Sequence, residues 1–141
     1  MLFLTVLAAA QQPTGTAPIP TEILTAKTVF ISNTGAIPMN ISGGSNRLYT
    51  SFFQQLQAVG TFRIVGDPRK ADLVLEPHYL RDSDLQLKIY DRTTNILLWT
   101  LNQGVEVCTL QKTCDRNLDS ALAGLVTQVR QLSAETWVPS N

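Results

Sequence analysis

The chain contains no run of lysine or arginine, and its 11 basic residues are balanced by 11 acidic ones. A general binder of nucleic acid or of an anionic membrane needs a concentrated positive field, so both classes are excluded as expectations. Single-stranded bases would need aromatic rings set among basic residues, and Tyr49, Phe52 and Phe53 lack that setting. Histidine occurs once, at His78, and neither G-x-S-x-G nor H-E-x-x-H is present. Those absences leave His-dependent serine or cysteine protease chemistry without its parts. No apolar run approaches the roughly 20 residues needed to cross a bilayer. What remains is a chain of 141 residues, 44% hydrophobic, enough for one domain with one core.

The first residues read as a targeting segment. "LFLTVLAAA", Leu2 to Ala10, is a short apolar run ending in small residues and followed by "QQPTG". That is the h-region and small-residue cleavage site of a secretory signal, with residues 1–10 removed. The charged n-region is missing, as it would be if the true start lay upstream, and the first basic residue is Lys27. No cysteine stands at the cleavage point, so no lipid anchor is expected. Pro13, Pro18 and Pro20 lie among small polar residues in 11–23, which predicts an extended tether. A single domain is expected over 24–138.

Within that domain the periodicities predict an α/β fold. "KTVFIS" (27–32), "TFRIV" (61–65) and "DLVLEPHYL" (72–80) read as strands. Pro77 suggests that the third of these is an edge or a strand end. "LQLKIY" and "ILLWTL", joined by the turn Asp91 to Asn95, read as an antiparallel hairpin. Leu48, Phe52, Leu56 and Val59 recur at helical spacing over 47–59, and Gly60 ends that helix. Asp67 and Pro68 predict one helical turn. A last helix is expected from about Asn117 to Leu132, its stripe being Leu118, Ala121, Leu122, Leu125, Val126, Val129 and Leu132. The order is β-α-β-β-β-β-α, a mixed sheet of about five strands with two helices in two or three layers and a parallel first strand pair.

"FRIVGDPRKADLVLE" and "LKIYDRTTNILLWTL" resemble a pattern in uncharacterised bacterial envelope and secreted proteins. The element order is also similar to the amino-terminal domain of TolB and to CsgG-like and LpoB-like domains. The matching motifs are strand ends, turn residues and core aromatics, so no catalytic residue carries over. The resemblance implies an envelope location and a role in binding or assembly. The lipidated cysteine of the lipoprotein members is lacking.

Four features could carry chemistry. "NISGGSNR" offers Gly43, Gly44, Ser45, Asn46 and Arg47 between a strand and a helix, as phosphate loops do. It lacks the GK[ST] ending and a complete G-x-G-x-x-G, so the simpler reading is a helix entrance capped by Ser45 or Asn46. Anion binding with Arg47 is the minority reading. Cys108 and Cys114 are spaced C-x5-C; in an oxidising compartment an even count reads as a disulfide, worth about 2 kcal/mol for so short a loop. The alternatives are free thiols, a redox pair, usually C-x-x-C, or zinc, which needs more ligands.

His78 shares a strand face with Glu76 and lies near Asp82 and Asp84, too few certain ligands for a metal. The last is Trp99, on a strand apolar on both faces. This predicts a central, doubly covered strand with Trp99 in the core, or a partner anchor if the strand lies at the edge.

Two functions follow from different classes. One is a non-enzymatic periplasmic or secreted module that binds another envelope protein and needs no cofactor. The other is a small-ligand or enzymatic domain at the Gly43–Arg47 loop.

Overall fold

The computed structural model describes residues 18–35, 41–81 and 83–134. The expected signal segment and most of the expected tether lie outside these residues. The chain begins with a helical turn, α1 (Thr21–Leu24), and strand β1 (Thr28–Ile31). A 3-10 turn, Gly44–Asn46, runs into helix α2 (Arg47–Val59). Strand β2 (Arg63–Ile64), a second 3-10 turn at Pro68–Lys70 and strands β3 (Leu73–Leu80), β4 (Asp84–Asp91) and β5 (Leu97–Gly104) follow. Helix α3 (Gln111–Ala134) ends the described chain.

The five strands form one mixed sheet in the order β2-β1-β3-β4-β5. β1 runs parallel to both β2 and β3, while β3–β4 and β4–β5 are antiparallel. Both long helices pack on the same face, which makes a two-layer domain. On that face lie Val29 and Ile31 of β1, Leu73 and Leu75 of β3, and Leu85, Leu87 and Ile89 of β4, all buried. They meet Leu48, Phe52 and Leu56 of α2 and the predicted stripe of α3, which is buried from Leu118 to Leu132. Each such side chain contributes about 1.5–3 kcal/mol by leaving water. Val59, expected on the α2 stripe, is 39% exposed. Ile23 of α1 is buried in the same core, so packed structure begins before Leu24.

Local signals explain most boundaries. Gly60 closes α2 in the left-handed conformation at φ 69°. The Asp67 carboxylate accepts from the Arg69 amide at 3.0 Å and caps the Pro68–Lys70 turn. Asp72 fastens β3 to the start of β1: its Oδ2 accepts from the amides of Lys27 (2.8 Å) and Thr28 (3.1 Å). These two backbone bonds hold its carboxyl below the ordinary carboxylate value.

Three expectations need correction. β5 is an edge strand rather than a central one. Its apolar residues on both faces misled because a register shift at Ile89/Tyr90 lies opposite them, and Leu97 stays exposed there. β3, expected at an edge because of Pro77, is the middle strand. Pro77 is tolerated because the β1 ladder ends at Ile31–Leu75; beyond it the Thr34 hydroxyl donates to the Pro77 carbonyl at 2.7 Å. The nitrogen that lacks a proton therefore faces a side where no strand asks for one. Finally, α3 starts six residues before Asn117, at Gln111, which puts Cys114 inside the helix.

Candidate functional site

The glycine loop is built as a latch onto α3. Gly43 sits at φ 104°, where a side chain would be strained, and a Cβ there would lie 3.0 Å from the Arg47 side chain. Arg47 folds back against it, its Nη1 donating to the Ser42 carbonyl at 3.1 Å and its Nε to the Ser51 hydroxyl at 2.9 Å. The other end of the guanidinium reaches Asp119 at 2.6 Å, with Asp115 at 3.5 Å. Asp115 in turn accepts from the Ser42 amide and hydroxyl, at 2.8 and 2.6 Å. The Ser42 hydroxyl and amide, with Arg47 beside them, keep the Asp115 carboxyl below its ordinary value.

Sequence reasoning missed these acidic partners, because they lie some 70 positions away on α3. The expected side-chain cap is also different. α2 has none, because the 3-10 turn leads straight into it, and Asn46 Oδ1 accepts instead from Asn33 at 2.7 Å. Gly44, Ser45 and Asn46 are exposed, whereas the Arg47 charge is spent inside the fold.

The structure joins Cys108 to Cys114, with Cα atoms 5.2 Å apart. The bridge ties the segment leaving β5 to the second turn of α3, and Cys114 is buried while Cys108 is half-buried. His78 lies on the helix-free face of the sheet, its Nε2 3.3 Å from Glu76 Oε1 and opposite Gln86 of β4. Asp84 ends the same ladder opposite Leu80, and Asp82 lies outside the described residues. No group of three or more His, Cys, Asp and Glu among the described residues could hold a metal.

The remaining candidate, Trp99, lies on the outermost strand. It pairs with Ile89 on the helix-covered face and is half-buried, because no strand flanks it on the outer side. In a strand, alternate residues turn their backbone groups to opposite sides. The Val105 amide donates to the Ser83 carbonyl, so from Trp99 onward odd-numbered residues serve the β4 side; before the register shift the parity is reversed, and there the Ile96 carbonyl accepts from the Asp91 amide. Thr100 and Asn102 therefore point outward. The Asn102 carbonyl is met by the Gln128 side chain at 3.0 Å.

From Ile96 to Val105 there is neither charge nor proline. Six large apolar side chains stand out as exposed among the described residues, and four of them, Ile96, Leu97, Val107 and Leu110, bracket this strand. On the helix-free face Phe30, Val74, Tyr90 and Leu97 follow one another across β1, β3, β4 and β5, forming an apolar row. Beside β5 on the helix side, Leu101, Gln128, Gln131 and Leu132 line an open hollow of about 250 Å³.

No family model matches the sequence, and no curated protein matches it. Its fold is similar to that of protein XCC0632 from Xanthomonas campestris, of family DUF330, at 11% identity and a TM-score of 0.50, covering 76% of this chain and 83% of that one. More distant likenesses are the PelC dodecamer from Paraburkholderia phytofirmans (12% identity, 74% and 86% covered, TM-score 0.46) and uncharacterised lipoprotein B from Nitrosomonas europaea (13%, 79% and 84%, TM-score 0.45). None of these neighbours points to TolB, CsgG-like or LpoB-like domains specifically. No helix among the described residues is long and apolar enough to cross a membrane.

Proposed function

We propose that this chain is a non-enzymatic exported module of the bacterial envelope that binds another protein through its helix-free sheet face and the open edge of β5. One observation carries the reading: an eight-residue edge strand with no charge and no proline, flanked by exposed apolar side chains and bearing Trp99. Such an edge presents unpaired amides and carbonyls in a row. Folded proteins normally guard it with lysine, proline or a covering element. Left unguarded, it is the usual template for strand addition, with neighbouring pockets supplying specificity.

Export is supported by the apolar run ending in "AAA" and by the Cys108–Cys114 bridge, which suits an oxidising compartment. The non-enzymatic reading is supported by the state of the candidate groups. Arg47 is paired with Asp115 and Asp119, and His78 Nε2 lies 3.3 Å from Glu76 Oε1. A ligand site at Gly43–Arg47 would need that guanidinium, so this second reading loses its main support.

Cross-linking the protein in its native envelope, followed by isolation and mass spectrometry, tests the proposal. The expected result is a reproducible foreign partner that disappears with Tyr90→Asp on the sheet face. Recovery of this chain alone under several growth conditions would overturn the binding of another protein.

A further inference from the structure

We propose that the occupant of the β5 edge is a second copy of this chain, paired antiparallel about a two-fold axis through Thr100. The inference rests on the reading of that edge as a binding surface and narrows it: the edge takes a copy of this chain, and the other protein is bound on the helix-free face alone.

The strand is complementary to itself in one register. Placing Thr100 on the axis sets Thr100 against its own copy, and the outward amide and carbonyl of each donate to and accept from the other. The same register puts Trp99 opposite Leu101 of the partner strand, because positions 99 and 101 are symmetric about 100. That pair is a non-hydrogen-bonded one, in which side chains approach most closely. Both residues lie on the helix-covered face, since they pair with Ile89 and Leu87 of β4.

The hollow of about 250 Å³ beside Leu101 lies on that face. Each chain thus presents an indole and, two residues on, an open hollow floored by Leu101 and Leu132 and rimmed by Gln128 and Gln131, which receives the indole of its copy. No other antiparallel register sets the two directly opposite each other. An aromatic–aliphatic cross-strand contact of this kind is stabilising, as is a Thr–Thr pair.

Electrostatics does not select against a copy. Any charge near a two-fold axis meets its like, and self-association then suffers repulsion. β5 is neutral from Leu97 to Gly104, so no such repulsion arises. The outward carbonyl of Asn102, already engaged by Gln128, keeps a second lone pair for the incoming strand. Pairing would join two five-stranded sheets into one and remove the long edge of both. An interface built on one strand and one indole is at the small end of specific complexes, roughly 1,200 Å² in total, so the dimer is reversible and depends on concentration.

The test is sedimentation equilibrium of the oxidised full-length protein with two variants. Wild type should form a dimer. Thr100→Arg, which sets like charges on the axis, should weaken that dimer at least tenfold with an unchanged circular dichroism spectrum. Thr100→Cys should give a covalent dimer with a short bismaleimide, whereas Asn33→Cys should not. A monomer at every soluble concentration, an assembly larger than two, or a dimer untouched by Thr100→Arg would each overturn the pairing. A monomer that still captures a foreign partner through Tyr90 would leave the binding function standing. A Thr100-dependent dimer that captures nothing would leave the pairing and remove that function.

Discussion

The two edges of the sheet are protected in different ways. β2 is two residues long, and its exposed Arg63 is followed closely by Asp67, Arg69 and Lys70. A strand so short and so near to charge offers little template for pairing. β5 is eight residues long, neutral and bordered by apolar side chains.

The surroundings differ in the same sense. On the β1–β2 side carboxylates hold the structure: Asp72 clamps the start of β1, and Asp115 with Arg47 latches the loop that leaves β1. On the β5 side a covalent bridge holds the exit into α3. One flank is therefore built to be closed under ordinary pH, and the other to stay rigid while its edge remains available.

The two flanks share one core, and removing part of it should erase the contrast. Leu75→Ala on the central strand should cost about 2–5 kcal/mol, measured as a shift in the urea midpoint, and should loosen both edges together.

The next effects separate the flanks. Replacing Cys108 and Cys114 by serine should cost about 2 kcal/mol and accelerate amide exchange in β5 and the first turns of α3, with β1 and β2 little changed. Equal acceleration on both sides would refute the division. Gly43→Ala should cost about 1–2 kcal/mol, because the residue holds φ 104° against the Arg47 side chain, and its exchange signature should fall on the loop and α2 instead.

Acid gives the smallest effect and the opposite side. Asp72 and Asp115 have folded-state pKa values below the unfolded ones, so their stabilisation is present above the unfolded value of about 4 and is lost as pH falls through the folded values. Amides of β1 and the Ile41–Asn46 loop should open first below about pH 4. Asp72→Asn should flatten that dependence at the start of β1, read by exchange against pH.

The contrast between flanks also marks what the sequence made legible. The strand order along the chain, the α2 and α3 stripes and the Asp67 turn were readable because each rests on local periodicity or capping. The end of α2 at Gly60 was readable for the same reason. The start of α3 was not, because Gln111, Lys112 and Arg116 are exposed polar residues, Asp115 turns to the Ser42–Arg47 latch and Cys114 alone of this turn is buried in the core, so the segment reads as a loop. The place of β5 was hidden by apolar residues that suit a covered strand as well as an edge meant for pairing. The acidic partners of Arg47 were hidden by distance along the chain. The sequence singled out Trp99 and the glycine loop, but only the sheet order told them apart.

The most direct measurement is amide exchange at Thr100 and Asn102 as a function of protein concentration. Their amides point away from β4 and have no partner within one chain that the ladder supplies. The account predicts rapid exchange in dilute wild-type protein, protection as concentration rises, and no such protection in Thr100→Arg at Asn102. Rapid exchange at every concentration, or protection independent of it, would contradict an edge that pairs with its own copy.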